Sequence, residues 1–241
     1  MPRAKTAIES PLGAKALLVE GIDDWHAIYH IVECCTGAAP TFDLRYCGND
    51  DAVVETAAAI PVSRTRTQEV VGLVLDSDSE DNNGGGIQHR IRLLKSKLGH
   101  YYEIPDTLPT NGLNILPSDQ TNDESLPRLG IWLMPDNALD GIFEDLLRIA
   151  MNATTQAYIS AVVDKAKADQ IASYRPVERS KAIVRTHIAW QDPNKKNLGE
   201  AMASHFENLV PACEVFIKWI QSLFPSPIMQ GEQNSLPSAE R

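Results

Sequence analysis

Val70-Val71-Gly72-Leu73-Val74-Leu75-Asp76-Ser77-Asp78 is the stretch that decides the fold. The run from Val70 to Leu75 carries no charge and is too short for a buried helix, so it reads as a strand. Such a strand is buried on both faces, because every side chain meets a covering layer whichever way it points. The run stops at Asp76-Ser77-Asp78, which is rich in turn formers. If the strand continued through that triplet, its two-residue period would set both carboxylates on one side.

The same grammar recurs on either flank. Ala16-Leu17-Leu18-Val19 is a second apolar run and ends in Glu20-Gly21. From 23 to 36 the apolar positions Trp25, Ile28, Tyr29, Ile31, Val32 and Cys35 fall at helical spacing. Asp23 or Asp24 suits its N-terminal cap and Gly37 its stop. Phe42–Tyr46 alternates as a strand, and a helix is expected over 51–60. After Asp78 a polar loop, Ser79–Gly86, leads to a helix with Ile87, Ile91, Leu94 and Leu98 on one face. Arg90, Arg92, Lys95 and Lys97 occupy the rest of that helix. Residues 100–128 predict short strands in a long loop. Leu129–Met134 is another apolar strand, followed by Pro135-Asp136-Asn137 and a helix on Ile142, Phe143, Leu146 and Leu147.

Strands alternating with helices predict a mostly parallel sheet of about four to five strands with helices on both faces. From about residue 152 the strand signal ends. Helical segments are expected at 154–171, 176–190, 197–209 and 211–224, then a disordered polar tail over 225–241. The expected organisation is thus a core over 14–150, a helical extension packed on it over 151–224, and the tail.

Bulk properties narrow the class. The chain has 241 residues, 43% hydrophobic and 22% charged, ordinary for a globular protein. No apolar run approaches the roughly 18 residues of a membrane span. The opening MPRAKTAIESPLGAKALLVEG lacks a signal peptide's apolar core, so a cytoplasmic protein is expected. Cys34, Cys35, Cys47 and Cys213 form no CxxC and read as reduced thiols. A net charge of -10 argues against a general nucleic-acid coating protein. It is compatible with a metal enzyme, whose bound cation inverts the local field.

Parallel strands deliver their last residues to one edge, where ligands bind in open α/β sheets. Three strand ends carry acids there: Glu20, the pair Asp76 and Asp78, and Asp136, with Glu144 and Asp145 a turn or two later. Gathered carboxylates repel unless neutralised. Their hard oxygens suit Mg²⁺ or Mn²⁺, as one or two ions able to orient a phosphodiester. The competing reading is that each acid only caps a helix or turn, and Asp23, Asp24, Asp50, Asp51 and Asp140 suit that role as well. The glycine-rich Asn82–Gly86 is no Walker A loop. Ser77 sits in no nucleophile elbow. The six histidines show no paired metal spacing, and Trp25, Trp132, Trp190 and Trp219 read as core.

Leu17-Leu18-Val19-Glu20-Gly21-Ile22-Asp23-Asp24, followed by Val74-Leu75-Asp76-Ser77-Asp78, resembles the two signature motifs of the Toprim domain. That superfamily includes topoisomerases, DnaG-type primases, OLD-family nucleases, small RNA-maturing nucleases and RecR-type repair proteins. Gly130–Asn137 and Gly141–Leu146 are similar to small stand-alone Toprim-like proteins related to the OLD nucleases. The resemblance covers roughly residues 14–150. It implies a Toprim-like α/β core in which Glu20 is a general acid/base or metal ligand and Asp76 and Asp78 bind Mg²⁺. It also implies that Glu144, with Asp145 or Asp136, completes a second metal position. No ATPase, topoisomerase-tyrosine or zinc module accompanies the motifs, so nuclease cleavage of DNA or RNA is the leading expectation. Gly21, Asp24, Arg90, Lys95 and Lys97 are the candidate phosphate contacts. Lys181, Arg185, His187, Lys195 and Lys196 form a second basic zone suited either to a nucleic-acid backbone or to ordinary surface. The alternatives are a non-catalytic recruitment module acting with a protein partner, or an enzyme acting on a small nucleotide or phosphoester.

Overall fold

The computed structural model describes residues 4–6, 11–79, 85–121, 123, 125–191 and 198–225. The loop residues 80–84, the basic residues Lys195 and Lys196, and the tail from 226 lie outside the described residues.

Strand and helix alternate as the apolar pattern predicts. β1 (Lys15–Val19) leads into α1 (Ile22–Thr36), β2 (Asp43–Tyr46) into α2 (Asp50–Val62), and β3 (Val70–Asp76) into α3 (Ile87–Leu98). The stretch 100–128, where short strands are expected, contributes β4 (Leu113–Ile115). β5 (Arg128–Met134) precedes α4 (Phe143–Ala150), and α5 (Ala153–Ala168), α6 (Arg179–Gln191), α7 (Leu198–His205) and α8 (Leu209–Leu223) follow. The sheet order is β2-β1-β3-β5-β4. Four strands run parallel, and β4 lies antiparallel on the outside of β5. This is the expected α/β architecture with a mostly parallel sheet.

Each sheet face has its own core. On one face Leu18, Val71, Leu73, Leu75, Leu129, Ile131 and Leu133 pack under α2, α3 and the buried Tyr102. On the other, Leu17, Val19, Val70, Val74, Trp132 and Met134 join a larger cluster with residues of α1 and α4–α8. α1 and the C-terminal helices therefore cover this face of the sheet together. α8 lies close because Gly72 and Gly130, paired across β3 and β5, leave a notch. Leu223 fills it: a Cβ on Gly72 would fall 2.8 Å from a Leu223 methyl, and one on Gly130 would fall closer still. Three tryptophans are core as expected, but Trp190 is half exposed, beside Tyr158. Its position on the last turn of α6 faces water rather than the sheet. Among the described residues no helix is long and apolar enough to cross a membrane.

Candidate metal centre

Four carboxylates come together where the parallel strands end. Glu20 follows β1, Asp24 lies in the first turn of α1, Asp76 closes β3, and Glu144 lies in the first turn of α4. Backbone N–H groups fix three of them. Glu20 Oε1 accepts from Asp76 N at 2.7 Å, which ties β1 to β3. Asp76 Oδ1 accepts from Phe143 N at 2.8 Å and so holds the start of α4. Asp24 Oδ2 accepts from Gly21 N at 2.8 Å. The cap reading holds for Asp24, whose carboxylate also lies beside the hollow between the strand ends. Below them Ser77, fully buried, donates its hydroxyl to Met134 O at 2.7 Å and accepts from Gly141 N at 2.9 Å. Ser77 therefore joins the ends of β3 and β5 and has no nucleophilic setting.

The electrostatics are those of a site with excess negative charge. Burial pushes the Glu20 carboxyl up to about 8, with Asp24 and Asp50 adding to the rise and the Asp76 N–H and Arg90 opposing it. Burial likewise lifts Asp24 to about 6, helped by Glu144 and Asp23 and opposed by the Gly21 N–H and Lys181. Asp76 is raised well above the usual range, first by burial and then by Glu20, Asp24 and Glu144. Glu144, only 5% exposed, is raised by burial, with Lys181 and Arg185 opposing. A hollow of about 10 Å³ lies among Glu20, Asp24, Asp76 and Phe143. That is room for the centre of about one water-sized occupant.

The remaining candidates are engaged elsewhere. β3 stops at Asp76, and Asp78 turns into left-handed backbone with φ 59°. The two-residue period therefore breaks, and the Asp78 carboxylate goes to Arg90 rather than alongside Asp76. Asp136 caps its own turn through Ala138 N and Leu139 N. Asp145 accepts from Ile142 N and from Ser180 Oγ and pairs with Arg148. Arg90 is not an open phosphate contact: it is buried and bonded to Asp50, Asp78 and the Asp76 carbonyl. Lys95 and Lys97 pair with Asp106 and Glu55. Gly21 contributes the backbone N–H that Asp24 accepts.

Two basic residues of the helical extension reach this edge. Lys181 Nζ lies 3.7 Å from Glu144 Oε1, and Arg185 pairs with Asp23. His187, in the same zone, is buried against Phe206 and faces the core. Asp50 was legible only as a helix cap, and Asp24 as a cap or a phosphate contact, because nothing local in the sequence says which cap also faces a neighbouring strand end.

As the side chains stand, no group of three or more His, Cys, Asp or Glu among the described residues is closed around a common ion position. The donor chemistry nevertheless fits a hard divalent cation: only carboxylate oxygens converge, with no sulfur or imidazole. A cation would relieve the charge repulsion that adds to burial in raising Glu20, Asp24 and Asp76.

The family described as "Protein of unknown function (DUF3226)" matches residues 14–225. The chain belongs to that family. The matched span runs from just before β1 to just after α8, so it includes both the sheet and the helices that cover it. No curated protein matches the chain, and no solved structure does.

Proposed function

We propose that this DUF3226 protein is a cytoplasmic, Toprim-type enzyme that uses Mg²⁺ or Mn²⁺ to cleave phosphodiester bonds in DNA or RNA. One observation carries the reading: Glu20, Asp24, Asp76 and Glu144 converge, partly buried and mutually repelling, at the carboxyl edge of a parallel sheet. Carboxylates held in such conflict are costly for the fold and mark functional sites. The motif resemblance adds the chemistry expected of these positions.

Glu20, Asp76 and Glu144 would hold the cation, with Asp24 beside them. When bound, a divalent ion polarises a phosphoryl oxygen and lowers the pKa of a coordinated water. The chain's own groups orient the reactants. One oxygen each of Glu20 and Asp76 is fixed by a backbone N–H, which leaves the other oxygen of each for the cation. Lys181, more than half exposed, and Arg185 supply the local positive charge that a phosphate backbone meets on an otherwise acidic surface. The test is cleavage of single- and double-stranded DNA and RNA by purified protein with Mn²⁺ or Mg²⁺. Activity is expected with metal, and Asp76→Ala should abolish it. Cleavage that persists in Asp76→Ala rejects the site.

A second reading, a recruitment module acting with a protein partner, is favoured by one feature. A hollow of about 430 Å³ beside the acid edge is floored by Trp132 and Phe216 and rimmed by the exposed Leu139, Ile149 and Val215. Inertness toward every nucleic acid, together with a stable partner in pull-down, would favour it.

A further inference from the structure

Arg90 is set apart from the other cations of α3. It is 5% exposed. A guanidinium presents five N–H donors in a rigid planar fork and stays protonated at any working pH. Here Nε donates to the Asp76 carbonyl at 2.9 Å, Nη2 to Asp78 Oδ2 at 2.7 Å, and Nη1 to Asp50 Oδ2. The acceptors come from the end of β3, the turn after it, and the first turn of α2. Burying such a cation is unfavourable by several kcal/mol unless carboxylates and hydrogen bonds compensate it. Asp50 and Asp78 do so from two sides, and Glu20 adds attraction. Burial alone would raise the Asp50 carboxyl, yet bonding to Arg90 holds it below its usual range.

The acidic edge is therefore divided. Asp50 and Asp78 share one fixed organic cation. Among the described residues no buried cation is bonded to Glu20, Asp24, Asp76 or Glu144, and Lys181 approaches Glu144 only at 3.7 Å. In two-metal phosphodiesterases the ions sit about 3.5–4 Å apart and share carboxylates. A second ion held through Asp78 would have to displace, or lie against, a buried guanidinium.

We propose that Arg90 takes the place of a second divalent ion, so that the site binds a single Mg²⁺ or Mn²⁺ on the Glu20–Asp76–Glu144 side and Asp78 serves Arg90 rather than metal. This rests on the metal reading above and narrows it from one or two ions to one. Arg90 is a positioning residue. It sets the carbonyl of Asp76 and the charge beside it, and it touches no substrate.

Calorimetric titration of the whole chain with Mn²⁺ tests this without reference to activity. Wild type should bind one Mn²⁺ per chain, and Asp76→Asn none. Arg90→Gln frees Asp50 and Asp78 and should bind a second Mn²⁺, whereas Arg90→Lys, which keeps the charge, should stay at one. Asp78→Asn keeps an oxygen for Arg90 and should leave the Mn²⁺ Kd within about twofold of wild type. That variant decides the matter even if Arg90→Gln does not fold. Two Mn²⁺ in wild type overturn the inference. So does a single Mn²⁺ at unchanged affinity in folded Arg90→Gln, or a loss of about tenfold or more in Asp78→Asn. No Mn²⁺ in wild type overturns the metal reading, and this inference with it.

Discussion

At the scale of single residues, Glu20 puts folding and charge in opposition. Burial raises its carboxyl from the ordinary 4.5 to about 8. A carboxyl whose folded-state pKa lies above its unfolded value favours the fold only while protonated. Its contribution is fully present below about 4.5 and gone once the pH passes about 8. Asp24, raised to about 6, and the raised Asp76 and Glu144 act in the same direction. Metal-free protein should therefore lose thermal stability as the pH rises from 5 to 8. Glu20→Gln keeps an acceptor for the Asp76 N–H and removes the charge, so it should stabilise the metal-free chain at pH 8 by roughly 2–4 kcal/mol. Melting curves across that pH range in chelator measure this. A flat wild-type profile would mean that solvent or a bound proton already relieves Glu20. The gain should shrink when Mn²⁺ is added, because the ion does for wild type what the substitution does for the variant.

At the scale of elements, the sequence signals hold wherever a local pattern decides the outcome. β1, β3, β5 and the helices between them follow from apolar periodicity, and so does the sheet edge where their acids gather. What stayed hidden depends on distant chain. Asp76 and Asp78 promised a shared side, but Gly141, bridged to Asp78, turns the chain there. The four cations of α3 read as one basic surface. Yet Arg90 lies three residues after Ile87 and four before Leu94, on the apolar face, and that spacing was the available signal of its burial. Gly72 and Gly130 are plain strand residues until α8 is laid across them. Leu223 occupies the space of both missing side chains, and a methyl at either position would force the Leu223 side chain to shift. Gly130→Ala should thus destabilise by roughly 1–3 kcal/mol, as overpacking a filled core does. Denaturant melts of Gly130→Ala alongside a Leu223→Ala, Gly130→Ala pair test the cause. Partial recovery in the double variant is expected, and simple addition of the two losses would place the strain elsewhere.

At the scale of the molecule, the decisive relation is between the sheet and the last four helices. A core ending near residue 150 looks self-sufficient in sequence, because every strand lies before that point. In space, the sheet face carrying Trp132 and Met134 closes only with Phe216, Trp219, Ile220 and Leu223 of α8, and α7 packs along α1. Trp132 meets Phe216 edge-on at 5.1 Å and Trp219 at 5.6 Å between ring centroids. Aromatic groups of this size carry much of a core's apolar burial. The same helices deliver Lys181 and Arg185 to the acids, so fold and site depend on one piece of chain. Residues 1–152 alone should therefore show helical far-UV dichroism but no cooperative thermal transition, bind a hydrophobic dye, and give no melting response to Mn²⁺. The full chain should unfold in one transition and respond. A cooperative, dye-silent 1–152 fragment would mean that α1 and α4 close that face unaided. In that case the charges of α6 would be an addition to an already finished site, and Lys181→Ala in the full chain should then leave the Mn²⁺ response unchanged.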